Sequence, residues 1–92
     1  MMHLALYLEA GTHQGGWRHP DSASTGTVDW PLYKKIARRS EAACLDMLFV
    51  ADKLSIDDNY GGHLRDTVRY RPVVRPEPLT LLAALAAVTD RI

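Results

Sequence analysis

The chain has 92 residues, 47% of them apolar, and 11 basic side chains against 11 acidic ones, which describes one small folded domain or part of a larger one. Zero formal charge leaves no global field to draw it to nucleic acid or a membrane, and a single cysteine, Cys44, excludes an internal disulfide framework and suits a reducing compartment. With no basic leader, and with a longest apolar run (Leu81–Val88) far short of the roughly 20 residues that cross a bilayer, a soluble cytoplasmic chain is expected.

Residues 3–8, His-Leu-Ala-Leu-Tyr-Leu, read as a first strand, nearly all apolar as parallel strands covered by helices are. A polar loop with Gly15, Gly16 and Pro20 runs from there to Val28; structureless loops of that length usually serve a function or are disordered. A helix is expected over about 30–44, with Asp29 as N-cap and Pro31 in the first turn. Tyr33, Ile36, Ala37, Ser40, Ala43 and Cys44 recur at three- and four-residue spacing to form its inner stripe, where Cys44 reads as a buried, inert thiol. Lys34, Lys35, Arg38 and Arg39 take the opposite, solvated side.

Met47–Val50 follows as a second strand, four apolar residues expected to be buried on both faces. A strand, a helix and a strand in succession make the two strands parallel. Asp52 stands just past the second strand, at the end where α/β proteins gather ligands and chemistry. A long connection then runs to about Pro76, holding Asp57, Asp58, Gly61, Gly62 and the arginines 65, 69, 71 and 75; the tract 71–76 is expected to be extended, and the arginines either meet a phosphate or an acidic substrate or, as the favoured reading, form a solvated loop face. Glu77 and Pro78 open a second helix, to about residue 89 and richer in leucine and alanine than the first. Two parallel strands cannot close a sheet, so the pattern calls for a third strand and suggests the N-terminal piece of a larger (β/α) protein. A homo-oligomer that completes its sheet between subunits is the other arrangement open.

The candidate site residues each have a functional and a plain reading. Asp52 either accepts hydrogen bonds from a bound ligand or caps its own loop. His19, in Trp17-Arg18-His19-Pro20, lies on the loop after the first strand and can move a proton near neutral pH, or it orients the proline turn. Trp17 is a pocket wall or a packing residue. His13 and His19 match no zinc spacing and no cysteine cluster assists, so no metal is expected. Neither glycine pair forms a dinucleotide-binding or P-loop motif.

Four stretches, Met2–Ala10, Trp17–Pro20, Leu48–Asp52 and Glu77–Leu85, resemble in order and spacing the start of the bacterial-luciferase-like flavin-dependent monooxygenases. The similar branch is that of nitrilotriacetate monooxygenase, pristinamycin synthase and dibenzothiophene-sulfone monooxygenase. The resemblance implies an α/β chain forming the first two βα units of a (β/α)8 TIM-type barrel, with residues 1–92 an N-terminal fragment of that domain. It implies a two-component monooxygenase, in which a separate flavin reductase supplies reduced FMN and the enzyme uses it with O2 to oxygenate a small organic substrate. Asp52 matches the family's flavin-contacting carboxylate, with His19 a catalytic candidate and Trp17 a substrate-pocket candidate. The alternative function is a small non-catalytic α/β module that binds a partner protein through exposed strand edges.

Overall fold

A computed structural model of the chain describes residues 1–8, 19–21, 28–52, 54–56, 58, 61–70 and 75–92. Five elements follow in order: β1 (Ala5–Tyr7), α1 (Trp30–Ala42), β2 (Met47–Phe49), α2 (Leu64–Tyr70) and α3 (Pro78–Ala86). The two strands pair in parallel, Ala5 opposite Met47, Leu6 opposite Leu48 and Tyr7 opposite Phe49. Two further backbone bonds extend the pairing, from Asp46 N to Leu4 O and from Leu8 N to Phe49 O. Parallel pairing puts the C-terminal ends of both strands on one side, which positions the candidate site.

Helix α1 starts where its signals stand. The Asp29 carboxylate accepts from the Leu32 amide at 3.0 Å, with Pro31 in the first turn. Its end differs from the expected helix over 30–44, because the Cys44 amide donates to Glu41 O, the Leu45 amide donates to Ser40 O, and Cys44 takes a φ of 58°. These two bonds and the left-handed residue make a Schellman cap, usually built on glycine. The cap swings Cys44 off the inner stripe, so the thiol expected to be buried is exposed.

The core lies on one face of the sheet. Leu8, Tyr33, Ala37, Leu81 and Leu85 are buried together, with Ile36, Leu48, Val50 and Val88 packed against them. Burial on both faces, expected of the second strand, does not occur: Met47 and Phe49 are 52% and 51% exposed. Among the described residues, helices cover only one side of the sheet, and the side chains of a strand alternate between its faces. Tyr7 and Phe49 meet on the open face with ring centroids 5.6 Å apart.

The long connection after the second strand, in which no helix is expected, contains α2. Asp66 in its first turn and Arg69 in its last both suit the helix dipole, and Thr67 is fully buried. Helix α3 begins at Glu77, whose carboxylate accepts from the Leu79 amide at 2.9 Å and from the amide and hydroxyl of Thr80, each at 2.7 Å. It ends at Ala86, earlier than the expected 89, and the Thr89 hydroxyl donates to Leu85 O. No helix among the described residues is long and apolar enough to cross a membrane.

Two carboxylates tie distant segments together. Glu41 on α1 accepts from the amides of Asp90 and Arg91 at 2.7 and 2.6 Å, holding the segment after α3. Asp46, just before β2, accepts from the Leu4 amide at 2.8 Å and lies 3.2 Å from His3 Nδ1. Backbone hydrogen bonds lower the Glu41 and Asp46 pKa values, and Thr80 lowers that of Glu77. A folded pKa below the unfolded one contributes stability above the unfolded value, lost as pH falls through the folded value. Stability should therefore hold at neutral pH and decline from about pH 4.5 downward. Urea midpoints measured across that range check this; in Glu41→Gln the acid-side decline should be smaller.

Candidate functional site at the C-terminal ends of the strands

A small crevice opens where the two strands end. Tyr7 and Leu8 reach it from the first strand and Val50 and Ala51 from the second, while Tyr33, Leu81, Arg75 and Pro76 close it from the helical side. Its volume is about 10 Å³, room for roughly one water molecule. The lining is mostly aliphatic, with Tyr33 and Arg75 its polar members on the helical side, while the Tyr7 ring lies on the open face against Phe49. Burial, and secondarily the Asp29 charge, raises the Tyr33 pKa, so its phenol stays protonated at neutral pH.

Asp52 follows the crevice residue Ala51 directly and is exposed, so its carboxylate stands at the rim rather than in the wall. That exposure is what an acceptor for an incoming ligand requires. Asp46, at the other end of the same strand, is engaged by the backbone of its neighbour. The two aspartates that bracket β2 therefore do different work: one clips the strand start, the other remains accessible at its end.

His19 is exposed, and its Nδ1 accepts from the Asp21 amide at 3.2 Å, with an Asp21 carboxylate oxygen 3.8 Å away. With Nδ1 accepting, the proton of the neutral ring sits on Nε2. Neither His19 nor Asp52 lines the crevice. Trp17, His13 and the pair Gly15-Gly16 lie outside the described residues, as does the tract 71–74.

Arg75 is the residue that sequence reasoning misplaced. Read as part of a solvated loop, it is half-buried and lines the crevice. The available signal was local: Arg75 immediately precedes Pro76-Glu77-Pro78, which fixes the approach to α3 and brings its neighbour down onto the sheet end. A second, open depression beside α2 is lined by His63, Leu64, Arg65, Asp66 and Arg69. Among the described residues, no group of three or more His, Cys, Asp or Glu side chains could hold a metal ion.

No family profile and no solved structure matches the chain. Curated proteins do. It is 43% identical over 90 residues to the N-acetyl-S-(2-succino)cysteine monooxygenase of Bacillus subtilis, covering 97% of this chain and 19% of that protein. It is 40% identical over 96 residues to the dibenzothiophene-sulfone monooxygenase of Rhodococcus erythropolis, covering 99% of this chain and 21% of the relative. It is 35% identical over 94 residues to nitrilotriacetate monooxygenase component A of Aminobacter aminovorans, covering 95% and 20%. The chain spans about a fifth of the length of these relatives. The resemblance drawn from four stretches of sequence therefore stands: over nearly its whole length, the chain matches the group of dibenzothiophene-sulfone monooxygenase, nitrilotriacetate monooxygenase and pristinamycin synthase.

Proposed function

We propose that this chain is the N-terminal part of a two-component, FMN-dependent monooxygenase with a luciferase-like (β/α)8 barrel. The observation that carries the reading is the match along nearly the whole chain to several proteins, all named as monooxygenases. The name "component A" borne by the nitrilotriacetate relative supports a separate partner component, here a flavin reductase. The enzyme names do not favour the alternative of a non-catalytic module that binds through strand edges.

The barrel reading is supported by the open face of the sheet. In a closed (β/α)8 barrel, the face turned away from the helices fills the interior with side chains. Tyr7, Met47 and Phe49 lie on that face, each about half exposed in the two-stranded sheet. Further parallel strands would cover them.

The residues present fit one corner of a flavin site. Asp52 offers an accessible carboxylate to ring N–H groups of an isoalloxazine, and Tyr7 and Phe49 offer an aromatic surface close to the strand ends. The crevice is far below the roughly 300–1,000 Å³ of small-molecule sites, so the residues described here supply one corner of such a pocket. Bound reduced FMN would supply the electrons that activate O2. The chain's own contribution is positional: Asp52 fixes the ring edge, His19 holds a proton on Nε2 for the substrate side, and Trp17 walls the substrate pocket.

The test is oxygen incorporation by the full-length protein, given reduced FMN by an added NADH-driven flavin reductase under heavy-isotope O2. Candidate substrates are thioethers, sulfones and amino-polycarboxylates. One heavy oxygen atom in the organic product is expected. Flavin reoxidation with no labelled product from any of these classes would overturn the assignment.

A further inference from the structure

The outward side of α1 carries four cations within six positions: Lys34, Lys35, Arg38 and Arg39. Tyr33, Ala37 and Ser40 face the core, which turns Lys35, Arg38 and Arg39 toward solvent, with Lys34 half-buried at the edge of that face. Arg91 adds a fifth, its Nη2 donating to Glu41 O at 3.4 Å, and Arg38 Nε donates to Val88 O at 3.3 Å, so the segment after α3 and the helix form one surface. The neighbouring acids are engaged elsewhere. Asp29 caps the helix, and the Glu41 carboxylate holds two backbone amides. Among the described residues, none of the four helix cations makes a salt bridge.

Arg39 in the last turn suits the helix dipole and Arg38 holds Val88 O, but the spacing of the four cations does not itself favour the helix. Lys34 and Arg38, and Lys35 and Arg39, are like charges at i,i+4, which mildly oppose helix formation. On a chain of zero formal charge, the patch is a local excess and not a by-product of a basic protein. We propose that the outward face of α1, with Arg91, docks the acidic surface of a partner protein. Resting on the function proposed above, that partner is the component that delivers reduced flavin. Glu41 and the exposed Asp90 border the patch, and acids at its rim suit the mixed charges of a protein interface better than a polyphosphate backbone.

The test measures binding of fluorescently labelled poly-L-glutamate, a stand-in for an acidic protein surface, to the full chain by anisotropy, at low and at physiological salt. No flavin or substrate is present, so failure of the oxygenation assay and failure of this proposal are separate results. Binding should weaken with salt, and Lys35→Glu should weaken it roughly ten-fold. Arg65→Glu, on α2, makes the same change in net charge and should have little effect. Lys35→Gln should give a smaller loss in the same direction, which guards against a folding defect. Equal losses at Lys35 and Arg65, salt-independent binding, or no binding would overturn the proposal. So would tighter binding of a short DNA duplex through Lys35.

Discussion

Leu85→Ala in the full-length protein is expected to lower stability by about 2–5 kcal/mol, the range for truncating a fully buried leucine that leaves a cavity. Leu85 is 2% exposed and belongs to the buried cluster that joins α3 to α1 and the sheet. Urea unfolding should show a lower midpoint with an unchanged slope. Leu79→Ala, on the same helix but 77% exposed, should stay within about 0.5 kcal/mol of the parent. Similar midpoints for the two variants would mean that α3 does not pack as described.

Asp52→Ala in the full-length protein is expected to weaken reduced-FMN binding roughly 10- to 100-fold, which is the loss of one or two hydrogen bonds to a charged group. The fold should be little affected, because the Asp52 carboxylate is exposed at the strand end. Asp46→Ala reverses the expectation. Its carboxylate accepts from the Leu4 amide and lies beside His3 at the opposite end of β2, so stability should fall while flavin affinity is kept. Anaerobic titration and urea unfolding of both variants separate the two roles. Equal flavin affinity in wild type and Asp52→Ala would remove Asp52 from the site.

The parts of the fold legible in the sequence are those set by local chemistry. Asp29 with Pro31, and Glu77 with Pro78, announced the two larger helices, and both acids cap as side chains that satisfy first-turn amides. The strand, helix, strand order fixed the parallel pairing, and with it the side on which Asp52 stands. What escaped the sequence depends on geometry that a periodic pattern does not carry. Cys44 fell on the inner stripe by spacing, but a left-handed cap residue leaves the helical cylinder. Helix α2 has seven residues, under two turns, too few for periodicity to separate it from a charged loop. Arg75 owes its half-burial to tertiary placement, and Met47 and Phe49 owe their exposure to a sheet covered on one face only. For the site, the sequence pointed to the exposed carboxylate after the second strand and favoured a solvated Arg75, which instead lines the crevice.

The central claim is that the ends of β1 and β2 form one corner of a reduced-flavin site, and amide hydrogen exchange tests it directly. The full-length protein would be compared with and without reduced FMN under anaerobic conditions, following the peptide that contains Leu48–Asp52. Slower exchange in that peptide on flavin binding is the predicted result. Protection confined to other parts of the protein, with Leu48–Asp52 exchanging at the same rate in both states, would contradict it.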